Sequence, residues 1–99
     1  MKSSFNTIIK SRTPVLIDFH ADWCGPCKTL APILKQVKEE LNDAIKIVKI
    51  DVDKNQLLAA KYQVRGVPTM MLFKNGKQLW RQSGVLQKND IIGVIKSHS

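Results

Sequence analysis

Cys24 and Cys27, the only cysteines in the chain, lie three positions apart in the segment WCGPCK. They follow a predicted buried strand and stand at the start of a predicted helix. At such a position, unpaired backbone N–H groups and the helix dipole stabilise a thiolate, which makes the first thiol nucleophilic near neutral pH. The second thiol lies one turn further along, and Pro26 suits the first helical turn. The pattern predicts a reversible redox pair.

Two other roles for the pair fit the composition less well. A small secreted domain held together by disulfides is expected to carry at least about four cysteines. A structural zinc site needs roughly three or four ligands, and the chain offers only His20 and His98 besides the pair. A metal site is therefore not expected.

Hydrophobic periodicity predicts the elements that position the pair. Apolar residues at helical spacing predict helices over residues 3–11, 25–42, 55–62 and 87–98, the first with Ser3 or Ser4 as its N-cap. The runs VLIDFH and AIKIVKIDV predict two strands. TMMLFKNGKQLWRQ predicts a hairpin, because Asn75-Gly76 is a strong turn signal.

The resulting order, α-β-α-β-α-β-β-α, predicts an α/β fold. Alternation of strands with helices favours parallel strands covered by helices on both faces, with the hairpin adding an antiparallel edge. A length of 99 residues is typical of one domain, so a single domain over residues 1–99 is expected. A monomer is expected.

The composition bounds location and partners. No apolar run reaches the roughly 20 residues of a membrane span, and the N-terminus lacks the apolar stretch of a secretory signal, so a cytoplasmic location and no membrane contact are expected. The net charge is +8, from basic residues spread along the chain. This charge is read either as a solvated surface or as a preference for acidic partner proteins. Nucleic-acid binding is not expected, because no basic motif is interleaved with aromatics.

The chain resembles the thioredoxin family over nearly its whole length. The segments VLIDFHADWCGPCK, APILKQV, KIDVDKN, VRGVPTMMLFKNG and SGV stand in the family's order and approximate spacing. The resemblance implies a thioredoxin fold, with a central mixed sheet of about four strands flanked by helices on both faces. The family's usual N-terminal strand has no counterpart, so one sheet edge is expected to be exposed or covered by the first residues.

The resemblance also implies roles for individual residues. Cys24 would be the nucleophile that attacks a substrate disulfide, and Cys27 the resolving thiol. Asp18 matches the family's buried carboxylate and would remove the proton of Cys27. Lys49 matches a lysine near that carboxylate, with an exposed lysine of no special role as the alternative.

A surface for substrate is implied around Cys24. Pro68 would be a cis-proline beside the dithiol, and Val67 would offer its backbone groups to an extended peptide. Gly84 is read either as part of this groove or as a turn glycine. The implied substrate-binding residues are Trp23, Gly25, Pro26, Val52, Gly66, Val67, Pro68 and Gly84.

Two positions depart from the family's pattern. His20 stands where a tryptophan is usual, and is either a tolerated side chain or a second titrating group near the dithiol. Ser83 stands where the family tends to have an apolar groove residue, which would alter substrate preference.

The function implied by the resemblance is reduction of protein disulfides, with electrons supplied by a thioredoxin reductase that holds the flavin and uses NADPH. The chain itself would bind no cofactor. A disulfide isomerase or oxidant is the first alternative, and a glutathione-dependent, glutaredoxin-like protein is disfavoured by Gly25-Pro26. A binding module with incidental thiols is the alternative from another class, supported only by the charge.

Overall fold

The structure, a computed structural model, describes residues 4–99. Every predicted helix and strand is present, and most are shorter at their ends than predicted. The predicted N-cap Ser3 lies outside the described residues. The elements are α1 (Ser4–Ile9), β1 (Val15–His20), α2 (Gly25–Leu41), a short 3₁₀ turn (Asn42–Ala44), β2 (Lys46–Asp51), α3 (Gln56–Lys61), β3 (Thr69–Lys74), β4 (Lys77–Ser83) and α4 (Lys88–Ser97).

The strands form one mixed sheet in the order β2-β1-β3-β4. β1 pairs with β2 in parallel, while β3 is antiparallel to both β1 and β4. The expected α/β fold with a sheet of about four strands is confirmed. Within residues 4–99, β2 forms one edge of this sheet.

The expectation that the alternating strands all run parallel is wrong for β3. α2 has 17 residues, about 25 Å of helix, which is enough to carry the chain back along a strand of about 20 Å. α3 has six residues, about 9 Å, and cannot do so. β3 therefore begins at the end of the sheet where β2 stopped, with Thr69 opposite Phe19.

Each face of the sheet has its own core. Alternate side chains of a strand point to opposite faces, so Leu16 packs with Leu34 of α2 and Ile95 of α4. Ile17 packs on the other face with Phe5 of α1. Asp18 follows Ile17 and therefore lies on the face that α2 covers, beneath the start of that helix.

The predicted hairpin turn is confirmed. Asn75 and Gly76 both have positive φ, 53° and 82°, which is the type I′ geometry that Asn-Gly favours. Their N–H groups donate to carbonyls at the end of α1 and just after it, Gly76 to Ile9 at 2.8 Å and Asn75 to Ser11 at 2.9 Å. The turn thus ties the hairpin to the first helix.

Few basic side chains among residues 4–99 are paired with an acidic one. Within residues 4–99 one ion pair is present, between Lys88 Nζ and Glu40 Oε1 at 3.1 Å, against a net charge of +8. In the same range, no helix combines the length and the apolar character needed to cross a bilayer.

A matched pair of leucine substitutions tests the position of the core. Leu34 in α2 is 1% exposed and Leu57 in α3 is 89% exposed. Leu34→Ala is expected to lower the free energy of unfolding by about 2–5 kcal/mol, because it leaves a cavity. Leu57→Ala removes the same atoms from a solvated side chain, so we expect a change within about 0.5 kcal/mol. Urea denaturation measures both; equal losses would contradict the assigned core.

Candidate active site

The two cysteines form a disulfide at the N-terminus of α2, with their Cα atoms 5.3 Å apart. Cys24 is the N-cap residue, in extended conformation, and the backbone N–H of Cys27 donates to Cys24 Sγ at 3.1 Å. Pro26 lies in the first helical turn, as expected. A hydrogen bond from a helix N-terminus to sulfur favours the thiolate form, so this geometry suits Cys24 as the nucleophile in the reduced protein.

The dithiol is enclosed by apolar groups. Cys24 is 3% exposed and Cys27 is 6% exposed. They cluster with Ala21, and the half-buried Val52 and Val67 pack against them. The backbone of Val67 lies beside Cys24, with its carbonyl oxygen 3.5 Å from Cys24 Sγ.

The loop that carries Val67 is held by β3 and by the end of β4. The Val67-Pro68 peptide bond is cis, as expected, and Pro68 is buried. Gly84 donates its N–H to the Pro68 carbonyl at 2.9 Å and has a φ of 92°, a conformation that favours glycine. Thr69 Oγ1 donates to the Gly66 carbonyl at 2.7 Å. These bonds place the Val67 backbone beside Cys24.

Ser83 belongs to the same network. Its Oγ lies 3.0 Å from Thr69 Oγ1, and Thr69 already uses its hydroxyl hydrogen on Gly66, so Ser83 is the donor. The position that the resemblance makes apolar is therefore occupied by an exposed hydroxyl that anchors the loop.

Asp18 lies beneath the dithiol. It is 2% exposed, and its Oδ1 has no hydrogen-bond partner among residues 4–99. A cavity of about 150 Å³, lined by Asp18, Cys27 and Lys49 among others, connects the carboxyl to Cys27. This volume is several times the roughly 30 Å³ that one water molecule takes in bulk. Burial raises the pKa of Asp18, and the charges of His20 and Lys49 oppose that rise in part. The arrangement suits proton transfer.

Charged residues of β1 and β2 face each other beside this cavity. The strand register sets Asp18 opposite Lys49 and His20 opposite Asp51. The ionisable atoms of His20, Asp22 and Asp51 all lie within 4.8 Å of one another. Sequence reasoning identified Asp18, Lys49 and His20 but missed Asp51, because cross-strand neighbours depend on register.

Trp23 marks the outer surface of the site. It is 70% exposed, and its Nε1–H donates to Asp53 Oδ2 at 2.9 Å. Gly25, Pro26 and Gly66 are exposed as well. Asp53 was missed from the sequence, since nothing local links two residues that are 30 positions apart.

The predicted site residues gather at one end of the sheet. Cys27, Asp18 and Lys49 line the small cavity, and Cys24 is bonded to Cys27. The remaining predicted residues lie in the segments around Cys24. The predicted site residues are supplied by β1 and β2 with the residues that follow each of these strands, the first turn of α2, the loop before β3 and the residue after β4.

Comparison with known proteins identifies the family of this chain. The family model described as Thioredoxin matches residues 1–97. The chain is 45% identical over 94 residues to Thioredoxin from Rickettsia prowazekii, covering 94% of this chain and 90% of that protein. It is 48% identical over 96 residues to Thioredoxin Y, chloroplastic, from Oryza sativa subsp. japonica, covering 96% of this chain but 57% of that protein.

Solved structures agree with this result. The fold is similar to a mutant thioredoxin from Halobacterium salinarum NRC-1, with a TM-score of 0.88, 38% identity and coverage of 98% of this chain and 84% of that one. It is also similar to mitochondrial thioredoxin 3 from Saccharomyces cerevisiae, with a TM-score of 0.86, 33% identity and coverage of 96% and 88%.

Proposed function

This chain belongs to the thioredoxin family of thiol–disulfide oxidoreductases, and from that membership we propose that it reduces disulfide bonds in other proteins by dithiol–disulfide exchange. The observation that carries the proposal is the Cys24–Cys27 disulfide at the N-terminus of α2. A disulfide that spans one helical turn can open and close without movement of the sheet, as a reversible two-electron carrier must.

The first step is attack on the substrate. The Cys24 thiolate attacks one sulfur of a substrate disulfide, forming a mixed disulfide and releasing the other substrate sulfur as a thiolate. The N–H of Cys27, which points at Cys24 Sγ, favours the thiolate that this step requires.

The second step releases the substrate. Cys27 gives its proton to Asp18, through the small cavity that both line, and its thiolate attacks Cys24 Sγ. The second substrate sulfur leaves as a thiolate, so the substrate has gained two electrons and the Cys24–Cys27 pair has lost them. Lys49, opposite Asp18 on β2, would stabilise the carboxylate between turnovers.

The substrate would dock as an extended segment over Cys24. The Val67 backbone lies next to Cys24 Sγ and would pair with the segment as a strand does. Trp23, Gly25, Pro26, Val52, Gly66, Pro68 and Gly84 would complete the contact surface. The positive surface favours acidic substrates.

Reduction of the disulfide would come from a partner. A thioredoxin reductase would supply the electrons, and its flavin and NADPH belong to that enzyme, so the chain would work without a bound cofactor. We propose that residues 1–99 act as one domain in the cytoplasm. The similarity to a bacterial thioredoxin supports this location.

The reduction potential of the pair tests the proposed direction of electron flow. The protein would be equilibrated in defined thiol–disulfide buffers and its free thiols trapped by alkylation. Thioredoxins are known to lie near about −270 mV, and we expect a comparable value, below the roughly −220 to −260 mV of extracted cytosolic glutathione. A value near about −180 mV would instead support the isomerase alternative. Failure to form the disulfide would support a binding module.

A further inference from the structure

We propose that His20 is a positioning residue of the dithiol site: its protonation keeps Asp18 ionised, and so extends proton removal from Cys27 to lower pH. The inference rests on the proposed role of Asp18 as the base. It assigns a function to the residue at which this chain departs from the family's tryptophan.

The geometry places His20 where its charge acts on Asp18. The two residues are separated by one position on β1, so their side chains point to the same face of the sheet. Both line the cavity of about 150 Å³ that reaches Cys27. His20 is half-buried while Asp18 is buried, so solvent screens their interaction less than it screens a surface pair.

The charged groups around His20 form an alternating pattern on two strands. On β1, Asp18 is followed by His20, and on β2 the residues opposite them are Lys49 and Asp51. When His20 is protonated, each of these four residues has neighbours of opposite charge both along its own strand and across to the other strand.

Two further charged groups face the cavity. Asp22, in the loop after β1, lies with Asp51 close to the imidazole. Lys28, on the first turn of α2, also lines the cavity. Histidine is the side chain that ordinarily changes charge between about pH 5 and 8.

The sign of the effect follows from these neighbours. A proton on His20 gives this residue a positive charge, which favours the ionised form of Asp18; this is the direction in which His20 shifts the pKa of Asp18. Asp18 therefore keeps its capacity to accept a proton at a lower pH than it would beside a neutral side chain.

Two opposite substitutions test this inference. His20→Phe can never be charged, and His20→Lys is always charged in this pH range. The carboxyl carbon of Asp18 would be followed by NMR as a function of pH. We expect its titration midpoint to move up in His20→Phe and down in His20→Lys, and an inflection caused by His20 to be lost in both. A shift in the same direction for both variants would overturn the inference, because a merely structural role disturbs the site irrespective of charge.

Kinetics link the titration to function. Near pH 6, His20→Phe is expected to resolve mixed disulfides at least about threefold more slowly than the unmodified protein, while His20→Lys is not slowed. His20→Gln, a smaller neutral variant, should follow His20→Phe. The matched control is His98→Phe, at the end of α4, which should change neither measurement.

The two proposals can fail separately. If the Asp18 midpoint does not respond to the charge at position 20, the inference about His20 is wrong, whatever Asp18 does. If the midpoint moves as expected but the pH profile of resolution does not, the role of Asp18 as the base is wrong, and with it the kinetic half of this inference.

Discussion

Cys24→Ser is expected to lower protein disulfide reduction by at least about a thousandfold, since the serine hydroxyl cannot replace the attacking thiolate. Cys27→Ser should lose turnover to a similar extent for a different reason. It retains the nucleophile but not the thiol that breaks the mixed disulfide. Mixed disulfides with substrate should therefore accumulate in Cys27→Ser and not in Cys24→Ser.

The two variants provide controls for each other. Each would be reduced, mixed with a disulfide-containing protein and quenched with acid, and the adducts would be quantified on non-reducing gels and by mass spectrometry. The double variant, Cys24→Ser with Cys27→Ser, gives the background. Equal trapping by both single variants would contradict the assignment of nucleophile and resolving thiol. Retained biological activity in the double variant would favour the binding-module alternative.

The order of elements could be read from the sequence because the local patterns are strong. The Asn75-Gly76 turn is a strong hairpin signal by itself, and the short length and β-branched residues of the β1 run favour a strand. The direction of β3 could not be read in the same way. It depends on whether α3 is long enough to carry the chain back along the sheet. The order of strands and helices alone does not contain that length.

The chemistry of the site was predictable in its centre and less so at its periphery. The spacing of Cys24 and Cys27 and the apolar neighbours of Asp18 are local features, visible along the chain. Asp51 and Asp53 contribute through contacts with His20 and Trp23, which are set by strand register and by the loop after β2. The cis bond before Pro68 was expected from the family resemblance alone, because sequence physics favours trans.

Asp18→Asn is expected to slow the resolving step by about a hundredfold at neutral pH, since an amide of nearly the same shape cannot accept the proton of Cys27. The first attack, by Cys24, should change much less. Stopped-flow measurement of mixed-disulfide decay, against the rate of its formation, separates the two steps. If both steps slow equally, Asp18 acts on the structure of the site and is not the base for Cys27.

The same substitution should also stabilise the protein, but only at pH values at which Asp18 would be ionised. Burial raises the pKa of Asp18 above its ordinary 3.8, so the folded protein holds this proton at pH values where the unfolded chain has lost it. The contribution of Asp18 to the free energy of unfolding therefore falls as pH rises from about 4 through the folded pKa. Asp18→Asn lacks this decrease.

The test is the difference between the two proteins as a function of pH. In urea denaturation at pH 8, Asp18→Asn is expected to be more stable by at least about 1 kcal/mol, because Asp18 must carry its charge in a buried site whereas the amide stays neutral. The advantage should shrink as pH falls through the folded pKa, because Asp18 then takes up a proton and loses its charge. A difference independent of pH would mean that packing, and not the buried charge, separates the variants, and the proton-transfer role of Asp18 would lose its electrostatic basis.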